Sequence, residues 1–306
     1  MTPATPVLLD CDPGHDDAVA ILLAAGWDAV DLRAVTTVGG NAELEKVTRN
    51  ARAIMTLAGL HDVPVAAGAA GPRSGPLRTA LDVHGESGLD GPVLPEPTVA
   101  LDPRSAVDLL RDAAPGVLVA TGPLTNVAEL LERHPGAVDE VVWMGGSTGR
   151  GNTRPYAEFN ALVDPEAIDV VLGSGVRFTM VGLNLTHQAQ ATPEVVERIA
   201  AIGTPAAEAV VGWLSFFADT YRELYDLSPP VHDPCALAIA VEPSIARTVD
   251  ARIDVELDGR HTRGATVVDL YGRTGRPANA RVALDLDVPR FWDLVCGAIA
   301  ALPPVG

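Results

Sequence analysis

The chain has 306 residues, of which 47% are hydrophobic and 20% are charged, and its 22 Lys and Arg against 40 Asp and Glu give a formal net charge of −18 at pH 7. This acidic balance would repel a phosphate backbone or an anionic membrane surface, so we expect neither nucleic acid nor membrane as a partner. Three widely separated cysteines exclude a disulfide framework or a Cys-rich zinc site, and no apolar run is long enough for a membrane span. Without a basic and apolar leader, the sequence predicts a cytoplasmic protein.

Short apolar runs alternate with segments of helical period along the first two thirds of the chain. This pattern predicts an α/β protein with an open, mostly parallel sheet flanked by helices. The strands are expected at 7–10, 32–38, 117–120, 140–144 and 177–185, and the helices at 18–25, 42–58, 127–133 and 193–202. In such sheets the ligand crevice lies at the carboxyl ends of the strands, where this chain places Gly, Asp, Asn or Thr.

The last third predicts a long amphipathic helix at 206–225, a second helix at 234–240, three β-patterned runs at 252–257, 265–271 and 281–286, and a terminal helix. No linker-like segment divides the chain, so we expect one domain over residues 1–306. Residues 73–98 are rich in Gly and Pro and predict a long loop or lid at the crevice.

Four carboxylates cluster in LLDCDPGHDDAVA, between the first strand and its helix: Asp10, Asp12, Asp16 and Asp17. A helix N-terminus accommodates one or two such charges through capping and its dipole, which is the simpler explanation for any single Asp here. The whole set indicates a bound cation. All-oxygen ligands favour a hard ion, and calcium tolerates a flexible mixture of carboxylates and carbonyls better than magnesium does.

Two other polar segments lie at strand ends, TGPLTN at 121–126 and GNTRPYAEFN at 151–160. Asn152, Glu158 and Asn160 are evenly spaced, so an extended chain would turn them to one side, an arrangement suited to several hydroxyls. A polar turn without function remains an alternative for this segment. His232 and Asp233 precede an apolar helix and, taken alone, are typical of a helix cap.

Together these segments resemble the inosine-uridine preferring nucleoside hydrolase family over nearly the whole chain. The family's DxDPGxDDA signature is intact at 10–18. The other matching segments follow in the family's order: Gly40 and Asn41, HGESGLDGP at 84–92, TGPLTN, VVWMGG at 141–146, AEFN at 157–160, VGLNLTHQ at 181–188 and VHDPCA at 231–236.

The resemblance implies a calcium ion held by the side chains of Asp12, Asp17 and Asp233 and by the backbone carbonyl of Thr121. It implies ribose contacts from Asp16, Asn41, Asn152, Glu158 and Asn160. It also implies that His84, Tyr221 and Tyr225 line the base pocket, and that the chain forms a homodimer or homotetramer. Asn184 stands where relatives often have Asp, so the resemblance gives it no clear role.

The implied reaction is hydrolysis of the N-glycosidic bond of a ribonucleoside to free base and ribose, through an oxocarbenium-like transition state. Asp12 would be the general base that activates a calcium-bound water, and His232 would assist the leaving base. The ion would also hold the 2′ and 3′ hydroxyls of the ribose. The sequence leaves the base preference open.

Two alternatives use the same residues. A strand that ends in Asp-x-Asp also begins haloacid-dehalogenase-like phosphatases, with Asp10 as nucleophile, but those enzymes usually have Thr or Val where this chain has Gly14, and they need a late lysine that this chain lacks. A non-catalytic, calcium-dependent nucleoside or ribose binding protein would use the same oxygens. A binding protein would need neither a base such as Asp12 nor an acid such as His232.

Overall fold

Nine strands form one sheet in the part of the chain that the structure describes. The structure is a computed structural model that describes residues 3–225 and 228–303 and, within 219–225, the backbone alone. Burial explains why these segments are strands, since their apolar side chains alternate between two cores on opposite faces of the sheet. The strands are β1 (Thr5–Cys11), β2 (Val30–Thr37), β3 (Val65–Ala67), β4 (Val117–Ala120), β5 (Glu140–Met144), β6 (Arg177–Val181), β7 (Ala246–Val255), β8 (Thr266–Asp269) and β9 (Ala280–Leu286).

The strand order is β3-β2-β1-β4-β5-β6-β9-β7-β8. From β3 to β9 every neighbouring pair is parallel, whereas β7 pairs antiparallel with both β9 and β8. The chain runs outward from β1 to β3 and then returns to the other side of β1 with β4. The order therefore reverses between β1 and β4, and this switch point opens a crevice at the carboxyl ends of those two strands.

Helices cover both faces of the sheet. In β1, Val7 and Leu9 belong to one core while Leu8 belongs to the other. The first helix is apolar on nearly all sides and is buried, as expected for a helix packed under other helices. The helices are α1 (His15–Gly26), α2 (Leu44–Leu57), α3 (Leu81–His84), α4 (Ala106–Ala113), α5 (Thr125–Arg133), α6 (Phe159–Val163), α7 (Pro165–Gly173), α8 (Leu183–Thr186), α9 (Pro193–Ala200), α10 (Pro205–Tyr225), α11 (Asp233–Val241) and α12 (Val288–Ala301).

The predicted fold class is confirmed, and two local predictions are wrong. The strand expected at 177–185 ends at Val181, because the segment after Gly182 turns into α8. Residues 152–160 are not extended: Arg154 bridges to Ala157, and α6 begins at Phe159. The segment 73–98 is a long loop as predicted, interrupted only by the single turn of α3. In the described chain no helix is both long and apolar enough to cross a membrane.

Candidate active site

A cavity of about 120 Å³ lies where β4 and β5 end. Its wall combines carboxylates, amides and imidazoles with a few apolar side chains, which suits a small polar ligand with one flat apolar part. Nine of the residues predicted from the sequence line it: Asp16, Asn41, His84, Thr121, Asn152, Glu158, Asn160, His232 and Asp233. Asp12 and Asp17 are fully buried beside these residues.

Asp17 closes the turn between β1 and α1. One of its carboxylate oxygens accepts from the backbone N–H of Gly14 at 3.0 Å, and the other accepts from the backbone N–H of Asp12 at 3.2 Å. The hydroxyl of Thr121, at the end of β4, donates to Asp17 Oδ1 at 2.7 Å. Asp17 therefore reaches back from the first turn of α1 to the backbone that precedes the helix, and it ties the carboxyl ends of β1 and β4 together.

Asp12 is held on one side only. Its Oδ2 accepts from the backbone N–H of Asn41 at 2.7 Å, whereas its Oδ1 is buried and has no hydrogen-bond partner in the described chain. Two glycines make room for this carboxylate, since a Cβ on Gly40 would lie 2.0 Å from Oδ2 and a Cβ on Gly122 would lie 2.6 Å from Oδ1. An unpartnered buried carboxylate oxygen is costly unless a ligand satisfies it.

Three more carboxylates converge beside Asp12. Asp16, Asp17 and Asp233 each offer an oxygen, and these oxygens lie within 4.8 Å of one another. Burial raises the pKa of Asp16 to about 7 and raises the pKa of Asp12 and Asp233 well above the ordinary value, and the neighbouring carboxylates raise them further. Such a cluster stays fully ionised at neutral pH only if a cation offsets the repulsion.

Asn41 holds two of these carboxylates. Its Nδ2 donates to the backbone carbonyl of Asp12 at 3.1 Å and to Asp17 Oδ2 at 3.2 Å. Its Oδ1 is therefore the side-chain atom that can accept a hydrogen bond from a ligand in the cavity.

Glu158 and Asn160 connect the ends of β4 and β5. Glu158 accepts from three backbone N–H groups, those of Gly146, Asn160 and Ala161, at 2.8 to 3.0 Å, and thereby caps α6. Burial nevertheless raises the pKa of Glu158 to about 7. Asn160 Nδ2 donates to the carbonyl oxygens of Thr121 at 2.8 Å and Met144 at 3.1 Å, which leaves its Oδ1 to accept from a hydroxyl.

His232 and His84 face the cavity from different elements. His232 Nδ1 lies 2.7 Å from the Thr186 hydroxyl, and the ring centroid of His187 lies 5.7 Å from that of His232. Burial lowers the pKa of His232 to about 3 and lowers that of His84 well below its ordinary value. Both imidazoles are therefore neutral at pH 7 and can donate or accept one hydrogen bond at each end.

Tyr221, Tyr225 and Asn184 are not among the described side chains that line the cavity. The side chains of Tyr221 and Tyr225, on α10, lie outside the described residues. Asn184 does not line the cavity: it donates to the carbonyl oxygen of Ala283 at 2.8 Å and accepts from the backbone N–H of Thr148 at 3.3 Å, so it joins the loop after β5 to β9.

Some residues at the site belong to predicted segments but have no predicted contacts, and others were not predicted at all. Asp10 is fully buried behind the cluster, where Thr36 and Asn126 donate to its Oδ1 at 2.6 and 2.8 Å. The place of Asn126 inside the TGPLTN motif was the signal available for this contact. Met144, Thr153 and Phe159 also line the cavity, and they lie inside segments that the sequence singled out without a role for these side chains. No sequence signal marks the remaining cavity-lining side chains: Ala80, Val83 and Phe217.

The fold and this carboxylate-rich cavity at the strand ends agree with one protein family. The chain belongs to the inosine-uridine preferring nucleoside hydrolase family, whose model matches residues 7–293. It is thus an enzyme that hydrolyses ribonucleosides.

Relatives of this chain carry more specific names. The chain is 47% identical to a pyrimidine-specific ribonucleoside hydrolase of Shewanella woodyi, covering 96% of this chain and 97% of that one, and 46% identical to one of Escherichia coli O7:K1, covering 95% and 97%. Among solved structures it is similar to a purine-preferring ribonucleoside hydrolase from Gardnerella vaginalis, with a TM-score of 0.90 and 30% identity over 97% of this chain and 98% of that one.

Proposed function

We propose that the chain hydrolyses the N-glycosidic bond of pyrimidine ribonucleosides in a calcium-dependent reaction, releasing the base and ribose. The observation that carries this proposal is the buried Asp12 carboxylate, with one unpartnered oxygen, beside the converging oxygens of Asp16, Asp17 and Asp233. The identity to two pyrimidine-specific relatives, 47% and 46%, exceeds that to the purine-preferring structure, 30%, and this difference favours pyrimidine substrates.

The residues of the cluster fit a calcium ion. The donors are carboxylates and the Thr121 carbonyl, all hard oxygen ligands, and the described chain places no Lys or Arg in hydrogen-bond contact with them. Asp12, Asp17, Asp233 and the Thr121 carbonyl would hold the ion, and Asp16 lies close enough to contribute or to bind the sugar. When bound, calcium would offset the carboxylate repulsion, bind the ribose diol and lower the pKa of a water molecule.

Asp12 is the residue placed to act as general base. The attacking water forms a bond to C1′ of the ribose while the bond from C1′ to the base nitrogen breaks, and Asp12 accepts the proton that the water loses. The hydrogen bond from Asn41 N–H fixes the Asp12 carboxylate through Oδ2, so Oδ1 is left to meet the water. The surrounding carboxylates favour the positive charge that develops on the sugar.

The amides of the cavity are placed to bind the ribose. Asn41 and Asn160 each use their Nδ2 on protein carbonyls or carboxylates, so each presents Oδ1 as an acceptor for a hydroxyl. Asn152 uses Oδ1 to accept from the backbone N–H of Phe159 and can donate through Nδ2. Glu158 accepts from three backbone donors and so holds Asn160 and the Gly146 backbone in place, and its Oε1, which accepts from one of them, can also accept from a hydroxyl.

His232 is placed to stabilise the departing base. It lines the cavity beside Asp233, and Thr186 fixes its ring through Nδ1. Because the imidazole is buried and neutral, its contribution is a hydrogen bond to the negative charge that collects on the base as the glycosidic bond breaks.

The test is an assay of reducing sugar with uridine, cytidine, inosine and adenosine as substrates. We expect release of ribose from the two pyrimidine nucleosides at kcat/KM values at least tenfold above those for the purines. Prolonged chelation should abolish turnover, and calcium should restore it more fully than magnesium. Full activity after exhaustive chelation, or a preference for purines, would overturn the corresponding part of the proposal.

Deoxyuridine is the matched control substrate, since it lacks the 2′ hydroxyl and keeps the base and the bond to be broken. Its turnover should fall far below that of uridine. The homodimer or homotetramer remains a prediction from the resemblance, and light scattering of the same preparation measures it. The cytoplasmic location remains a prediction from the N-terminal sequence.

A further inference from the structure

The reaction described above does not use His15, although His15 contacts the cavity residue His84. The two Nδ1 atoms lie 2.8 Å apart, and the rings lie side by side and close to coplanar, with centroids 5.1 Å apart and an interplanar angle of 19°. Phe216 stacks on His15 with a centroid distance of 5.0 Å. The His15 side chain is buried, so this contact is shielded from solvent.

His15 and His84 belong to different parts of the chain. His15 is the first residue of α1, directly before Asp16 and Asp17, whereas His84 is the last residue of α3 in the long loop 73–98. The second ring nitrogen of His15, Nε2, lies 2.8 Å from the backbone carbonyl oxygen of Asp90, also in this loop. His15 therefore ties the loop to the first turn of α1 at two points.

The Asp90 carbonyl decides where the protons lie. A carbonyl oxygen only accepts, so His15 Nε2 carries a hydrogen and donates it. The His15 side chain is buried, which disfavours an imidazolium, and a neutral imidazole with a hydrogen on Nε2 has a lone pair on Nδ1. The 2.8 Å contact between the two Nδ1 atoms then requires His84 Nδ1 to carry a hydrogen and to donate it to His15.

One contact favours the opposite arrangement. The backbone N–H of His15 points at His84 Nδ1 from 3.4 Å, which suits a lone pair on that nitrogen. If His84 Nδ1 had that lone pair, the shorter contact would require a second hydrogen on His15 and thus a buried imidazolium. The 2.8 Å contact is the stronger of the two. Burying an imidazolium is costly, and among the described residues Asp90 acts on His15 from a distance but no carboxylate forms an ion pair with it.

We propose that His15 is a positioning residue that holds His84 as the tautomer with its hydrogen on Nδ1 and so presents Nε2 of His84 to the cavity as a hydrogen-bond acceptor. His84 lines the cavity, and no described group hydrogen-bonds to its Nε2. The partner of this acceptor is an N–H or O–H donor of the nucleoside, either N3–H of the base or the 5′ hydroxyl of the sugar. Only this last step rests on the proposed function.

The direct test is nitrogen NMR of calcium-loaded protein labelled with ¹⁵N in histidine, since the chain has only 7 histidines. We expect His15 as the Nε2–H tautomer and His84 as the Nδ1–H tautomer at pH 7. His84 carrying its hydrogen on Nε2, or His15 carrying two, would overturn the proposal whatever the enzyme hydrolyses. The same spectra of chelated protein should show the same tautomers, because the hydrogen-bond chain involves no ligand of the ion.

Two variants separate positioning from packing. His15→Asn keeps an acceptor oxygen at the place of Nδ1, so His84 should remain the Nδ1–H tautomer. His15→Phe keeps the ring packing against Phe216 and removes the acceptor, so the His84 signal should shift toward the Nε2–H tautomer. Equal His84 spectra in these two variants would contradict the proposal. The exposed His61→Asn is the control and should change neither histidine.

Kinetics with two analogues identify the donor. His15→Phe should lower kcat/KM for uridine by about fivefold to tenfold, the worth of one hydrogen bond. If N3–H is the donor, 3-methyluridine should lose this sensitivity to the variant, and if the 5′ hydroxyl is the donor, 5′-deoxyuridine should lose it. Full sensitivity retained by both analogues would refute the assignment of His84 Nε2 as an acceptor for the nucleoside. Such a result would leave ribonucleoside hydrolysis itself untouched.

Discussion

The proposed catalytic role of Asp12 depends on one oxygen, the unpartnered Oδ1. Without a role for this oxygen, Asp12 would be a purely structural carboxylate. Asp12→Asn keeps the shape of the side chain and the hydrogen bond from Asn41 N–H to Oδ2, and it removes both the base and one charge toward the ion. We expect kcat for uridine to fall by at least about 10³-fold, since general base catalysis alone contributes about 10²- to 10⁴-fold. Steady-state kinetics at saturating calcium measures this loss.

Stability is the control for this variant. Without the ion, the buried Asp12 carboxylate is repelled by its neighbours, and Asp12→Asn removes this repulsion. The chelated variant should therefore melt at the same temperature as the chelated parent chain or above it. A chelated variant that unfolds more readily, together with near-normal turnover, would mean that Asp12 has a structural role.

The glycines beside Asp12 give a second prediction at the residue scale. Gly122→Ala would place a methyl group 2.6 Å from Asp12 Oδ1, so the carboxylate must shift. We expect kcat to fall by about tenfold or more, because sub-ångström misplacement of a catalytic group has large effects on rate. The exposed Gly297, inside α12, has open space around it, so Gly297→Ala should leave kinetics unchanged and stabilise the chain by about 0.5–1 kcal/mol. Unchanged turnover in Gly122→Ala would show that the tight fit around Asp12 is not required.

These glycines also show how far the sequence predicts a site. The sequence predicts the residue types that bind and react, because carboxylates, amides and imidazoles beside strand ends have few other uses. The cavity brings nine of the predicted residues together. The space that Gly40 and Gly122 leave for Asp12 depends on which strands are neighbours. The contact of His15 with His84 likewise depends on how the long loop folds back onto α1, and neither appears in local sequence.

At the scale of secondary structure, Glu158 joins a helix cap to the cavity. Its two oxygens accept hydrogen bonds from three backbone N–H groups. Glu158→Gln replaces one of these oxygens by an NH₂ group, which cannot accept from those donors. We expect a loss of about 1–3 kcal/mol in unfolding free energy and a rise in KM for uridine, as Asn160 and the Gly146 backbone lose their support. Urea unfolding and steady-state kinetics measure the two effects.

The cap of α9 provides the matched control. Thr192 accepts from the backbone N–H of Val195 far from the cavity, and Thr192→Ala should cost about 0.5–2 kcal/mol without any change in KM. If both variants altered KM equally, the kinetic effect of Glu158 would be a general consequence of lower stability.

Elements differ in how well their sequence predicts them. β1, β4 and β5 are short apolar runs bounded by polar or turn residues, and their bounds match the expectation within three residues. The predicted strand that begins at residue 177 is too long. Leu183 and Leu185 are as apolar as the strand residues, and only Gly182 marks the turn into α8. The helices α6 and α7 escaped prediction because AEFN read as extended chain, while Asp164 and Pro165 actually begin a new helix.

At the scale of the whole molecule, the alternation of strands and helices predicts a parallel sheet. The general rule for such sheets predicts that the active site lies at the carboxyl ends of the strands. The sheet order does not follow from the sequence. β9 joins the parallel sheet beside β6, although it follows the antiparallel β7 and β8 in the chain. Long-range pairing of this kind depends on burial of the whole face, and local patterns of hydrophobicity carry no record of it.

The carboxylate cluster should make the stability of the metal-free protein fall as pH rises. Asp10 and Asp16 have their pKa values raised from 3.8 to about 7 in the folded chain, chiefly by burial. Between these values the folded state binds more protons than the unfolded state, so each group weakens folding by up to about 1.4 kcal/mol per pH unit. Below about pH 6.5 the buried His15 and His232 oppose this trend, because burial lowers their pKa values and only the unfolded state protonates them there. Urea unfolding of chelated protein between about pH 6.5 and 7.5 should therefore show a steady loss of unfolding free energy.

Calcium should remove most of this slope, because a bound divalent ion favours the ionised carboxylates and binds more tightly as they lose their protons. Asp16→Asn should reduce the slope of the chelated protein, since one titrating group is gone. Asp102→Asn should not, because Arg104 lowers the pKa of the partly buried Asp102 to about 2, below the tested range. A chelated protein whose stability rises with pH would mean that these carboxylates are already ionised in the folded chain, and a cation would then not be needed to hold them together.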